Sequence, residues 1–218
     1  DLLLRSTSVV FPLIFIVLHA WYSNIPTLYT NSGSSSPNRI ATKVQKIHRV
    51  ATVISAFSAA IGLSEGSTVM IKLWVRRRRP NFYALCGFDI SNRKCMGTLE
   101  EIREANFSFP SGHSSLVCCG MTFLVWYLHG ASYGINTIQR SGDKTKSKFG
   151  FGSPRFFSLM VCTCFPWGWA LFVAASRLVD HWHHPSDVLA GLALGFATCT
   201  IVYHHWYAPI WSPNAGIP

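Results

Sequence analysis

This sequence is short of charge, and of acidic charge above all. Only 13% of its 218 residues are charged, and just nine are Asp or Glu, against about 25% charged residues in an ordinary soluble domain. A chain so poor in charge cannot clothe a water-facing surface, and its few charges cluster, leaving long stretches nearly free of them. Hydrophobic residues make up 49%. That balance argues against a soluble globular protein and for a chain that lives in a bilayer. A cleavable signal peptide is also lacking: Asp1 is followed within a few residues by the first apolar run, and we expect an earlier segment to have been removed. No internal repeat is evident, and the length fits one domain over 1–218.

What charge there is runs strongly positive, 19 Lys and Arg giving a formal net charge of +10. Such an excess suits anionic lipid, a phosphorylated substrate or nucleic acid. The cations lie between apolar spans rather than along one soluble face, which argues against nucleic acid. Of seven cysteines, Cys118, Cys119, Cys162, Cys164 and Cys199 sit in apolar runs and read as small buried hydrophobes. Cys86 and Cys95 lie in a polar loop; they form a disulfide if that loop faces an oxidising compartment, and are two free thiols otherwise.

Five apolar runs predict membrane helices, at 8–22, 50–75, 114–128, 156–175 and 188–203. The fold class expected is therefore all-α, a polytopic helical bundle. Residues 23–49 and 129–156 read as basic connections on one side of the membrane, and the longer connection 76–110 with the end of the span before it, the turn 176–187 and the N-terminus lie on the other. Positive charge hardly separates the two sides, with nine Lys and Arg on the first and ten on the second. Setting aside Lys72, Arg79 and Arg177 as site residues leaves seven on the second side, which favours a cytosolic position for 23–49 and 129–156.

Three polar clusters fall on the second side. The first closes the second span: Lys72, three apolar residues, four arginines from Arg76 to Arg79, then Pro80. Lys72 and Arg79 are seven apart and would share a helical face, with Arg76 close to it. Stacked cations suit a phosphoryl group, although interfacial cations also simply anchor a helix at the headgroups. The second cluster is Pro110-Ser111-Gly112-His113, directly before an apolar helix. Small residues there let backbone N–H groups approach an anion, while an ordinary serine N-cap is the plainer reading. The third runs from Ser176-Arg177 to His183 and Asp187. Asp187 follows His183 by four residues, so its carboxylate can accept the proton of one ring nitrogen and leave the other free to attack phosphorus. Histidines at 181, 183 and 184 also bring zinc to mind, but no Cys or Glu stands at ligand spacing beside them.

In combination these clusters are specific. Lys72, six residues, Arg79-Pro80, then Pro110-Ser111-Gly112-His113, then Ser176-Arg177, five residues, His183, three residues and Asp187 form an ordered pattern. It resembles the type 2 phosphatidic acid phosphatase superfamily, which also holds vanadium haloperoxidases and some bacterial acid phosphatases. The membrane branch, the lipid phosphate phosphatases, is the most similar, over about residues 61–191. The resemblance implies a six-helix core with its site at the luminal or extracytosolic face, the five spans here matching the last five. It implies His183 as nucleophile, Asp187 as its orienting partner and His113 as general acid. Lys72, Arg79, Ser111, Gly112 and Arg177 would hold phosphoryl oxygens. Attack would form a phosphohistidine that water then hydrolyses, without metal or cofactor, because three cations neutralise the phosphate.

The chain departs from the family pattern at His181, where many members have Tyr, and at Pro185, where many have Trp. Its arginine quartet is also denser, which favours a more highly charged headgroup such as a pyrophosphate. The substrates expected are phosphatidate and diacylglycerol pyrophosphate, with sphingoid phosphates and polyprenyl diphosphates as alternatives. A haloperoxidase would share the pocket, but known members are soluble; a catalytically silent lipid-binding relative would lack motif residues, and none is missing here. Partners reduce to the bilayer and a lipid phosphate, and the sequence gives no oligomeric state. Finally, Glu65 is the one acidic residue inside a predicted span. It stands seven before Lys72, where it would position that lysine, line the headgroup pocket from below, or bond a neighbouring helix.

Overall fold

Apolar segments in a bilayer have no water to satisfy their backbone groups, so they close their hydrogen bonds internally as helices. A computed structural model of the chain describes residues 2–23, 39–142 and 154–209. Seven helices and one short hairpin occur among the described residues: α1 (Leu2–Tyr22), α2 (Arg39–Val75), α3 (Phe82–Leu85), β1 (Phe88–Asp89), β2 (Lys94–Cys95), α4 (Leu99–Ala105), α5 (Gly112–Gly142), α6 (Pro154–Val179) and α7 (Pro185–Trp206). Among the described residues the chain is all-α apart from that hairpin, and helices form at each of the five predicted spans. Four are long and apolar enough to cross a membrane: Thr42–Val75, Gly112–Ser132, Phe157–Val179 and Pro185–Trp206. The apolar helix Ser6–Tyr22 is shorter than the about 20 residues a span needs, so the count of five is approximate.

Two expected connections are partly helix. Basic residues Arg39 to Arg49 form the first turns of α2, and α5 runs on to Gly142. Polar flanks keep helical hydrogen bonds as well as apolar residues do, so hydropathy marks the membrane portion of a helix and not its end. Residues 24–38 and 143–153, which carry part of the charge count, lie outside the described residues.

Helix α5 is the axis of the bundle, packed by α1, α2, α6 and α7. Within its apolar window 83% of residues are buried inside the protein, against 22% for α6, so α6 turns most of its surface to lipid. Outward residues such as Phe15, Met70, Phe165, Leu171 and Ile201 are apolar, as hydrocarbon requires. Aromatic rings fill the interior, Phe123 meeting Phe57 at 5.3 Å and Tyr203 at 5.7 Å between centroids.

Small residues set how closely α7 approaches α5. A Cβ built on Gly191 would lie 2.5 Å from the Ser111 carbonyl oxygen, and one on Gly195 would lie 2.1 Å from that of Ser115. Only glycine permits this contact, the close helix crossing that small-xxx-small spacing allows in membranes. Thr68 and Ser115 share a buried hydroxyl–hydroxyl bond of 2.9 Å, which ties α2 to the same turn of α5. The N-termini of α5 and α7 and the C-terminus of α2 are thereby gathered at one end.

Candidate active site

Helix α2 ends sooner than spacing suggests. The residue before a proline is pushed to extended backbone, so Arg79 ahead of Pro80 cannot continue a helix. The chain breaks at Val75, Arg76 takes a left-handed conformation with φ 48°, and its Nε donates to the Leu73 carbonyl at 3.1 Å. Arg76 is exposed and does not line the site, contrary to the expectation from a continuous helix. Residues 77–79 run as a strap beside the segment that follows α4, joined by Arg79 N–H to the Ala105 carbonyl and Ser108 N–H to the Arg77 carbonyl, both 2.9 Å.

A cavity of about 210 Å³ opens where these ends meet. Lys72 and Arg79 reach it from α2 and the strap, Gly112 and His113 from the start of α5, Arg177 from the end of α6, and His183 from the loop before α7. Six of the predicted residues thus meet at one place. Glu104, Phe107 and Trp182 complete the wall. Lys72 Nζ donates to the Phe107 carbonyl at 2.8 Å. Arg79 lies over the Trp182 ring at 4.6 Å and pairs with Glu104 at 3.3 Å; burial pulls its pKa below the usual range although Glu104 works against this. Arg177 pairs with Asp180 at 3.0 Å.

His183 is positioned by a sharp turn. His181 adopts a left-handed φ of 54°, and the N–H groups of Trp182 and His183 both point to the Arg177 carbonyl, at 3.1 and 3.3 Å. His184 then caps α7, with Pro185 in the first turn as expected. The His183 ring is buried. Its pKa is pushed down to about 3, mainly by burial and then by Lys72 and Arg79, with Asp187 and a hydrogen bond to the Ser108 backbone opposing. The imidazole is therefore neutral at physiological pH and keeps a lone pair.

Asp187 is fully buried, and its contacts differ from the expected ones. Its Oδ2 lies 3.8 Å from His183 Nδ1, too far for a hydrogen bond. Oδ1 accepts instead from Arg77 Nη1 at 2.7 Å. Oδ2 accepts from His184 N–H at 2.9 Å and from the Ser108 hydroxyl. Ser108 Oγ in turn lies 3.4 Å from His183 Nδ1.

Two further predicted residues stand off the cavity. Ser111 is buried at the N-cap of α5, where its Oγ accepts from the Ser114 hydroxyl at 2.9 Å and from Ser114 N–H at 3.4 Å. The plain N-cap reading of this serine is the one the fold adopts. Glu65 is half-buried in α2, its Oε1 without a hydrogen-bond partner, and it does not line the cavity. Of the arginine quartet only Arg79 reaches the cavity; Arg78 sits over the Phe82 ring at 4.8 Å. Cys86 and Cys95 are joined in a disulfide across the base of the hairpin.

Spacing alone missed Arg77, Glu104 and Ser108. Their roles depend on where α2 stops and on which segment lies beside the strap; Ser108 alone had a local cue, standing just ahead of the Pro110 cluster.

The family model described as PAP2 superfamily matches residues 53–211. A PA-phosphatase related-family protein of Dictyostelium discoideum is 34% identical over 73% of this chain and 53% of its own length. Lipid phosphate phosphatase 1 of Arabidopsis thaliana is 33% identical over 64% of this chain and 40% of its own. Phospholipid phosphatase 1 of Rattus norvegicus is 30% identical over 71% and 53% respectively. The chain spans about half the length of the curated relatives it matches. No solved structure matches it.

Proposed function

Since the chain belongs to the PAP2 superfamily, we propose that it is an integral-membrane phosphatase that hydrolyses phosphate esters of lipids through a phosphohistidine and without a metal ion. The observation that carries this reading is the meeting of a neutral, buried His183 with Lys72, Arg79 and Arg177 around one cavity. A phosphomonoester dianion finds three cations there, with the start of α5 at Gly112 presenting backbone N–H groups to the same space.

In the first step His183 Nε2 attacks phosphorus and a P–N bond forms as the P–O bond to the lipid breaks. His113, on the same wall, gives its proton to the departing oxygen, so the lipid leaves as an alcohol. Water then attacks the phosphohistidine, His113 takes the proton, and phosphate is released with His183 restored. Lys72, Arg79 and Arg177 hold the three equatorial oxygens throughout, supplying the charge neutralisation that a divalent cation supplies elsewhere. Ser111 stands behind Gly112 and His113 at the N-cap of α5, accepting from Ser114 and keeping its own hydroxyl proton as a donor.

Phosphatidate fits the relatives' names best. A pyrophosphate headgroup is less favoured, since only Arg79 of the four arginines lines the cavity. The cavity opens on the luminal or extracytosolic side, where a Cys86–Cys95 bond persists. The deciding experiment is rapid quenching of the detergent-purified protein with radiolabelled phosphatidate. Wild type should yield an acid-labile, alkali-stable phosphoenzyme, keep its turnover in chelator, and lose both label and turnover on His183→Ala. Turnover surviving in His183→Ala would refute the nucleophile.

A further inference from the structure

We infer that Ser108 is the positioning residue that couples Asp187 to His183, in place of a direct carboxylate–imidazole bond. The inference rests on His183 being the nucleophile and concerns how its ring is held. Asp187 Oδ2 and His183 Nδ1 are 3.8 Å apart, outside hydrogen-bond reach. The Ser108 hydroxyl contacts both, touching Asp187 Oδ2 and lying 3.4 Å from His183 Nδ1.

Donor bookkeeping then fixes the direction. An ionised carboxylate only accepts, so Ser108 spends its one hydroxyl proton on Asp187. Its remaining lone pairs can only accept, and with the Ser108 backbone also hydrogen-bonded to the ring the neutral imidazole presents Nδ1–H. The tautomer follows: Nδ1 carries the proton and Nε2 the lone pair that attacks phosphorus. As the ring gains positive charge on phosphorylation, Nδ1–H, the Ser108 hydroxyl and the Asp187 carboxylate polarise in series.

The Ser108 backbone also hydrogen-bonds the His183 ring, so both contacts of this residue favour a proton on Nδ1, and the rest of the network holds the partners in place. Arg77 occupies Asp187 Oδ1 at 2.7 Å, and His184 N–H fills part of Oδ2 at 2.9 Å. Neither Asp187 nor Ser108 is exposed, so water has no access to take the serine's place. Ser108 is itself fixed through its backbone, its N–H donating to the Arg77 carbonyl at 2.9 Å. The same arginine therefore locates both the serine and the carboxylate.

Ser108→Ala removes one oxygen and leaves the cations of the cavity intact. It should lower kcat roughly 10- to 100-fold, the scale of loss from a misplaced reacting group. KM and inhibition by inorganic phosphate should stay within about twofold, because those depend on Lys72, Arg79 and Arg177. In rapid-quench traces the phosphoenzyme should form slowly, and Ser108→Thr, which keeps the hydroxyl, should recover part of the rate. A kcat for Ser108→Ala within about twofold of wild type overturns the inference while leaving the phosphohistidine reading standing, provided His183→Ala is dead. Phosphate inhibition weakening in step with kcat overturns it too, since Ser108 would then shape the pocket and not the ring. An active His183→Ala would instead remove the reading on which the inference rests.

Discussion

His183 is held neutral by its surroundings, and that has a cost that depends on pH. In an unfolded chain the imidazole titrates near its ordinary 6.5, whereas in the fold it titrates at about 3. Between those values the unfolded chain binds a proton that the native protein refuses, so acid favours unfolding. The stability this site contributes is whole above pH 6.5 and is lost as pH falls toward 3, on the order of 2 kcal/mol by pH 5. Thermal midpoints at pH 7 and pH 5 should therefore separate less in His183→Asn than in wild type; equal separation would show that the ring is not held neutral. The arginine quartet shows what the sequence can and cannot say at this scale. Residue type and spacing found Lys72, Arg79, Gly112, His113, Arg177 and His183, all of which line one cavity. They did not find that Arg77 holds Asp187 while Arg76 turns out to water. Which of four neighbouring identical side chains faces inward is decided by the last turn of α2, a tertiary fact with no local signature.

Among the elements, the crossing of α5 and α7 does most to set the site. Each helix brings part of the site at its N-terminus, Gly112 and His113 on one and Asp187 on the other, so their separation fixes the distance between the proposed acid and the proposed nucleophile. Gly195→Val would drive a branched side chain into the Ser115 carbonyl, 2.1 Å from where its Cβ must stand. We expect it to cost about 3 kcal/mol or more, the upper range for overpacking, and to abolish turnover. Gly168→Ala on α6, whose Cβ meets nothing within 4 Å, should leave the thermal midpoint and activity near wild type. Loss in both variants would mean that glycine matters for some reason other than the close approach. The helices themselves were legible from hydropathy, because only apolar runs of that length can hide from water. Their ends were not: α2 begins and α5 ends in polar sequence, and α2 stops four residues before Arg79 because of a proline one position beyond it.

For the molecule as a whole, the proposed luminal or extracytosolic position of the cavity has a direct test. Charge counting is nearly balanced, nine Lys and Arg on one side against ten on the other. The Cys86–Cys95 bond offers a direct reading, since it belongs to the connection that forms one wall of the cavity. In sealed vesicles an impermeant phosphine followed by an impermeant maleimide should label both cysteines only when applied from the luminal or extracytosolic side. Labelling from the cytosolic side alone would reverse the orientation. Six residues of the cavity come from the ends of α2, α5 and α6, the strap after α2 and the turn before α7, and none of these segments carries a working subset. On the proposed reading, hydrolysis is a property of the completed bundle, and a chain with one helix still waiting to insert would be inert toward the lipids around it.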